Sequence, residues 1–330
     1  MRILITGGAG FIGSHTAERV LVGGHETAIL DDLNDFYEIT IKEQNLALVG
    51  AQGSVALYRG DIRDGAFVDR VFQEFRPEAV VHLAARAGVR PSLEEPVLYT
   101  DVNCLGTAVL LEAARRAGTH RFVFASSSSV YGLTQRIPFQ EDDPDLRPIS
   151  PYAGTKLACE RLSYVYSHLY GIKVVCLRFF TVYGPRQRPD LAISKFIECV
   201  ETGREIPFFG DGQMGRDYTF VSDTIDGILA ALNINCPYGV FNLGNSFPVT
   251  LSEMVAEIER ATHREAKLRR LPVPPGDVPI TYADLTKSEA ALGYRPKVLF
   301  AEGIRRTVEW YRAWKRGTDE RTGPGAGTAG

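Results

Sequence analysis

Neither sign of charge is in marked excess. The 330 residues carry 37 Lys and Arg against 40 Asp and Glu, a net charge of −3 at neutral pH. That balance argues against a nucleic acid or an anionic membrane as partner, since both select basic faces. Cysteine is sparse too. Five residues, Cys104, Cys159, Cys176, Cys199 and Cys236, are odd in number, dispersed and without a C-x-x-C spacing. Neither a disulfide framework nor a metal site is expected from them. They read as reduced, mostly buried thiols in a reducing compartment, the cytoplasm. No apolar run approaches the ~20 residues of a membrane-spanning helix. The N-terminus lacks a charged segment followed by a long apolar one, so no secretion signal is expected. No internal repeat is present.

What the chain does have is an ordinary 45% of hydrophobic residues, enough for a full core, and a length that allows about two domains. It also has a glycine-rich opening. Ile3 to Ile5 is a short apolar, partly β-branched run and predicts a buried strand. Gly7, Gly10 and Gly13 follow at even spacing, and Ser14 to Val22 then reads as a helix. A strand, a glycine turn and a helix in that order make a phosphate site. Missing Cβ atoms let backbone approach a pyrophosphate, and the helix N-terminus offers free N–H groups and a positive dipole end. The spacing is G-x-x-G-x-x-G, a variant of the usual dinucleotide fingerprint, so its weight comes from its place directly after a strand.

Further strands are expected at Glu26–Leu30, Val55–Arg59, Ala79–Ala85, Arg121–Ala125 and Val174–Phe179, with a long amphipathic helix from Asp101 to Arg116. This alternation indicates a doubly wound parallel sheet with ligands at the carboxyl ends of its strands. Asp31 closes the second strand, roughly 20 residues past the glycine turn, where a carboxylate hydrogen-bonds a ribose diol and repels a 2′-phosphate. NAD is therefore favoured over NADP. Asp61 and Ile62, past the third strand, are placed to bracket an adenine ring. His82 reads as a packed strand residue.

Tyr152 and Lys156 lie four apart in the helical segment Tyr152 to Leu169, so phenol and ammonium share one face. A free phenol, with a pKa near ~10, is a poor base at neutrality. A neighbouring ammonium, helped by a nicotinamide cation, is expected to favour the phenolate and suit it to acid–base work. The pair follows the serine cluster Ser126-Ser127-Ser128-Ser129 at the end of the fifth strand.

With these motifs the chain resembles the extended short-chain dehydrogenases/reductases, the group of nucleotide-sugar epimerases, dehydratases and decarboxylases. The resemblance runs from Met1 to about Trp314. Four stretches are similar to those of the UDP-glucuronate 4-epimerases: Asp31 to Tyr37, Ala84 to Arg90, Arg178 to Asp190 and Gly215 to Phe220. The implied fold is α/β, a Rossmann doubly wound parallel sheet over residues 1–180. A smaller C-terminal α+β domain for a UDP-sugar follows over 181–316, with segments of about 217–244 returning to the first domain. The tail, 317–330, is Gly/Thr-rich and is expected to be unstructured.

The resemblance implies a hydride cycle without net redox. Tyr152 takes the proton of the sugar 4-hydroxyl while C4 gives hydride to NAD, the 4-ketose turns over, and the hydride returns to its other face. Ser127 hydrogen-bonds the 4-oxygen and Lys156 binds the nicotinamide ribose. Gly7, Gly10, Phe11, Ile12, Gly13, Asp31, Asn34, Asp61, Ile62, Leu83, Ala84, Ala85, Asn103 and Phe179 are the implied cofactor contacts, with Tyr152 and Lys156. In the related 4,6-dehydratases Thr-Asp-Glu stands where this chain has Ser127, Ser128 and Ser129, and in uronate decarboxylases a glutamate stands at Ser129. Three hydroxyls at those places leave no carboxyl group to eliminate water or move the C5 proton. The same resemblance puts Thr181 and Arg188 at the sugar carboxylate with Ser128 and Ser129, Arg216 at the pyrophosphate and Asp277 at the uridine ribose. Arg90 is a further substrate candidate, and a homodimer through the helices around 102–116 and 152–169 is implied. A 4-keto uronate is a β-keto acid prone to lose carbon dioxide, which gives an arginine fork on its carboxylate a purpose.

Bland readings stand beside these. Arg188 and Arg186 also read as surface or domain-bridging ion pairs, Asp277 as a turn residue, and Phe208 as either a uracil contact or core. Neutral UDP-hexose epimerisation, a dehydratase or decarboxylase, and a dinucleotide-binding sensor without catalysis remain alternatives. The helices expected in the second half are Ile193–Glu201, Val221–Leu232, Ser252–Thr262, Leu285–Leu292 and Phe300–Trp314.

Overall fold

A computed structural model describes residues 1–272 and 280–322. In chain order the first half runs β1 (Arg2–Thr6), α1 (Phe11–Val22), β2 (Glu26–Asp31), α2 (Ile39–Gly50), β3 (Val55–Arg59), α3 (Gly65–Phe75), β4 (Ala79–His82), α4 (Val89–Glu94), α5 (Pro96–Thr100), α6 (Gly106–Ala117), β5 (Arg121–Ser127), α7 (Pro151–Tyr170) and β6 (Lys173–Phe179). The second half adds β7 (Thr181–Tyr183), α8 (Ala192–Thr202), β8 (Glu205–Phe209), β9 (Gly215–Phe220), α9 (Val221–Asn233), β10 (Tyr238–Leu243), β11 (Pro248–Thr250), α10 (Leu251–Thr262), β12 (Lys267–Leu271), β13 (Ile280–Thr281), α11 (Thr286–Leu292) and α12 (Phe300–Thr322).

Seven strands form one parallel sheet in the order β3-β2-β1-β4-β5-β6-β10. Its central strands are continuous apolar runs because helices cover both faces. Ile3, Leu4, Ile5, Ala28, Ile29, Leu30, Val80 and Val81 are all fully buried. The strand order reverses between β1 and β4, which register as Thr6 against His82, and a crevice opens there at the carboxyl ends. His82 is indeed a packing residue. Its ring nitrogens meet Thr6 Oγ1 at 2.8 Å and Thr107 Oγ1 at 3.0 Å.

Several elements differ from expectation. Helix α1 begins at Phe11, directly after Gly10, so Gly13 sits inside its first turn. There a Cβ would lie 2.0 Å from Gly7 O, and only glycine lets the helix start this close to the strand. The helix expected from Asp101 starts earlier, at Pro96, and carries a π turn at Asp101–Leu105 before α6. The stretch Pro96–Ala117 is long and apolar enough to cross a membrane by length and composition, contrary to the sequence reading. Here it flanks the sheet, packed between α3 and α7. Strand β10 pairs with β6 at the edge of the large sheet, but β9 does not return there. It joins β7, β11 and β13 in a smaller sheet, so residues 217–220 belong with the second half. Helix α12 continues to Thr322, past the expected start of the tail at 317. Phe208 is core, buried beneath the Arg270 guanidinium.

Candidate active site

The crevice is a cavity of about 370 Å³. At one end lies the glycine turn. Gly7 takes φ +73°, and a Cβ there would fall 2.7 Å from Ala84 N. The turn therefore packs against the end of β4 with no room for a side chain. The N–H groups of Phe11, Ile12 and Gly13 in the first turn of α1 have no carbonyl within the helix to bond, and all three residues line the cavity with Gly7 and Gly10. This is a cradle shaped for a pyrophosphate. Asp31, Asn34, Asp61, Ile62, Leu83, Ala84, Ala85 and Phe179 line the same cavity.

Local bonds set these side chains. Asp31 accepts N–H from Ala9 at 3.0 Å and from Leu33 at 2.9 Å. Burial raises its pKa, and those two N–H groups pull it back. Asp61 is gripped by Arg63, whose Nε and Nη2 reach its carboxylate at 3.0 and 2.6 Å. That contact holds Asp61 below the usual carboxylate range. Asn103 was expected at the cofactor but does not line the cavity. Its amide oxygen accepts Arg86 N–H at 2.8 Å, and its Nδ2 donates to Arg86 O at 3.1 Å and Thr155 Oγ1 at 3.0 Å. It clamps the loop after β4 to α7.

Ser127, Tyr152 and Lys156 line the same cavity. Ser127 ends β5. Tyr152 and Lys156 project from α7, which starts on a Ser150 cap bonded to Ala153 N–H and has Pro151 in its first turn. Burial raises the Tyr152 pKa, and a hydrogen bond with Ser127 and the charge of Arg188 oppose it. Lys156 Nζ donates to Ala125 O at 2.8 Å and lies 6.0 Å from the centroid of the Tyr152 ring. Its own burial lowers its pKa to about 8.

Thr181 and Arg188 also line the cavity. Arg188 makes a two-bond ion pair with Asp190. Arg186 is elsewhere, as its bland reading held. It turns away to Glu18 Oε2 at 2.6 Å and His15 Nδ1 at 2.8 Å, tying α1 to the loop after β7. Other expected substrate residues do not reach the cavity wall. Ser128 and Ser129 form a tight turn after β5, where Ser129 N–H caps onto Ser127 Oγ at 3.2 Å. Arg216 lies on β9 and donates to Gly215 O at 2.8 Å. Arg90 packs its guanidinium against the Phe209 ring. Asp277 lies outside the described residues.

The structure adds Phe36, Tyr37, Lys42, Arg63 and Arg86 to the lining. Phe36, Tyr37 and Arg86 fall within stretches that carried the resemblance. Lys42 had no signal in the sequence. It is buried, and its Nζ donates to Asn34 O at 2.6 Å.

A glycine-turn cradle at the switch point of a parallel sheet, facing a Ser/Tyr/Lys group across one cavity, defines a nucleotide-dependent short-chain dehydrogenase/reductase. The chain belongs to the extended branch of that family: the family model described as GDP-mannose 4,6 dehydratase matches residues 4–307. The UDP-glucuronate 4-epimerase of Thermodesulfobacterium geofontis is 40% identical over 308 residues, covering 93% of this chain and 95% of that one. Among solved structures, the UDP-glucuronic acid 4-epimerase of Bacillus cereus, in complex with UDP-glucuronic acid and NAD, has a TM-score of 0.89 at 32% identity, covering 95% of this chain and 100% of that one. The UDP-glucose 4-epimerase of Thermotoga maritima with UDP-glucose also has a TM-score of 0.89, at 34% identity, with 96% and 100% covered.

Proposed function

We propose that this chain is an NAD-dependent UDP-glucuronate 4-epimerase, interconverting UDP-glucuronate and UDP-galacturonate through a 4-keto intermediate. The observation that carries it is that Ser127, Tyr152, Lys156 and Arg188 line one cavity with the glycine-turn cradle. The T. geofontis and B. cereus proteins named above support the uronate as substrate.

The cradle at Gly7, Gly10 and Gly13, with Asp31 beside it, fits a dinucleotide lacking a 2′-phosphate. Bound there, NAD would supply the acceptor and donor for the hydride of the sugar C4. Tyr152 holds the 4-hydroxyl proton at its phenol oxygen on the outward step and gives it back on the return. Ser127 keeps the phenol and the sugar oxygen in line through its hydroxyl. Lys156, anchored on Ala125 O, presents its remaining N–H bonds to the cofactor ribose. Arg188 holds the sugar carboxylate with Thr181, and its hydrogen bonds keep that group solvated and slow loss of carbon dioxide from the keto acid. The family model's name refers to a dehydratase, but Ser127, Ser128 and Ser129 provide no carboxyl group to remove water.

We also propose a homodimer through the helical face of α5–α6 and α7. Val97, Leu105, Val165 and Leu169 are exposed on those helices, the first by 80%. Sedimentation of the purified protein tests this, and a monomer at all concentrations rejects it.

The functional test is incubation with UDP-glucuronate and, separately, with UDP-glucose, followed by NMR of the sugars and measurement of carbon dioxide. Conversion of the uronate to UDP-galacturonate with little carbon dioxide and no build-up of NADH is expected. Fast turnover of UDP-glucose with none of the uronate assigns the chain to the neutral sugar instead.

A further inference from the structure

Phe36 stands on the loop between β2 and α2, outside any regular element. Asn34 steadies that loop, its Oδ1 accepting Phe36 N–H at 3.1 Å and its carbonyl accepting Lys42 Nζ. Two guanidinium groups lie against the Phe36 ring. Arg86 is 5.2 Å from its centroid and Arg188 is 5.1 Å. Arg188 is gripped a second time by Asp190, Nε to Oδ1 at 3.0 Å and Nη2 to Oδ2 at 2.8 Å. The arginine side chain is 16% exposed and lines the cavity. Its carboxylate partner is 46% exposed and does not line it.

This arrangement has a definite geometry. A guanidinium has five N–H bonds in one plane. Asp190 takes one on Nε and one on Nη2, which is a single edge of that plane. A cation–π contact with Phe36 occupies a face and consumes no N–H. The edge bearing Nη1 is left for a ligand in the cavity. A long arginine otherwise samples many rotamers, and an unheld one would have to be ordered by each substrate molecule as it binds. Asp190 has a cost: its charge weakens the pull of Arg188 on any second carboxylate. The ion pair thus exchanges some attraction for direction.

We infer that Asp190 and Phe36 are positioning residues that turn Arg188 into a directed carboxylate clamp, and that they set the preference for a uronate over the neutral hexose. The inference rests on the epimerase reading above and deepens it. Charge at Arg188 alone attracts any anion. A fork fixed on one edge and one face accepts a planar carboxylate from one direction only. A neutral hydroxymethyl group at the same position gains little from that geometry.

The test uses purified enzyme carrying its bound cofactor, with Asp190→Asn, Asp190→Glu, Phe36→Leu and Phe36→Tyr beside the wild type. NMR gives initial rates on UDP-glucuronate, and UDP-glucose and UDP are used as competitive inhibitors of that turnover. Asp190→Asn is expected to raise KM for UDP-glucuronate about tenfold while kcat changes by less than about threefold. The Ki values of UDP-glucose and UDP should stay within about twofold. Asp190→Glu, which keeps the carboxylate, should recover most of the loss. Phe36→Leu should raise the same KM, and Phe36→Tyr, which keeps the aromatic face, should not. A KM that is unchanged or lower in Asp190→Asn overturns the proposal, a lower one meaning that Asp190 competes with substrate. A parallel rise in the Ki of UDP-glucose overturns it as well, since it reports a general loss of the site. A wild type that does not turn over UDP-glucuronate rejects the epimerase reading and this inference with it, before any variant is measured.

Discussion

Arg178 and Glu160 meet in an ion pair from which water is excluded, Nε to Oε1 at 2.9 Å and Nη2 to Oε2 at 2.8 Å, with both side chains no more than 2% exposed. Ser126 Oγ donates to the same Oε1 at 2.6 Å. One carboxylate thereby joins α7, which carries Tyr152 and Lys156, to β6 and to the residue before Ser127. Removing it leaves Arg178 charged and unpaired in the core. Glu160→Ala is expected to lower unfolding free energy by roughly 3–5 kcal/mol, measured by urea denaturation. The double variant Glu160→Leu with Arg178→Met should lose less than the single one, because no lone charge remains. A small loss in the single variant would show the pair to be weakly coupled to the fold.

Tyr152 and Arg188 provide a second prediction. The charge of Arg188 favours the Tyr152 phenolate against burial. Arg188→Ala removes it, so the phenol needs a higher pH to ionise and the acidic limb of the kcat profile should move up. A limb that stays in place would mean that the Arg188 charge does not act on this phenol during turnover. Tyr152→Phe should cost on the order of 10²–10⁴ in kcat while the protein still copurifies with NAD.

Gly13 is set where no side chain fits, a Cβ meeting Gly7 O at 2.0 Å. Gly13→Ala must therefore push α1 off the glycine turn. Bound NAD, released by denaturation and quantified by absorbance, should fall well below one per chain. Full retention would mean that the turn yields easily.

His82 gives a pH prediction. Burial first, and then the nearby Lys156 charge, holds its pKa at about 3, against ~6.5 in the unfolded chain. Between those values the unfolded chain binds the extra proton, so the His82 share of stability is complete above about pH 6.5 and is lost as pH falls towards 3. Asp217 has the opposite sign. Burial raises its pKa to about 6, so the native state gains protons, and stability, as pH falls through that value. The two are separated by His82→Gln. Its unfolding free energy from urea titrations between pH 4 and 6.5 should fall less steeply than that of the wild type, by up to about 1.4 kcal/mol per pH unit. Identical slopes would show that His82 binds protons equally in the folded and unfolded states.

Much of the site was legible because its chemistry is local. The glycine turn, Asp31, and the Tyr152/Lys156 pair each depend on a short spacing along one strand end or one helix face. Roles that depend on a distant partner were not legible. Only the fold brings Arg86 and Thr155 to the Asn103 amide. Lys42 carried no sequence signal, and only the fold buries it with its Nζ on Asn34 O. Strand β9 was assigned to the first domain, but it pairs with β7, β11 and β13, and strand pairing is a long-range choice that alternating hydrophobicity does not encode.

The sequence alone determined the alternation of strands and helices that builds the large sheet, the cradle at Gly7, Gly10 and Gly13, and the shared face of Tyr152 and Lys156. Periodicity and spacing act within a few turns of chain, so these needed no partner. Tertiary structure decided where the charges act: Lys156 held on Ala125 O, Arg186 turned to Glu18, Arg188 aimed by Asp190 and Phe36. Electrostatic effects depend on distance and burial, and both exist only once remote segments have packed together.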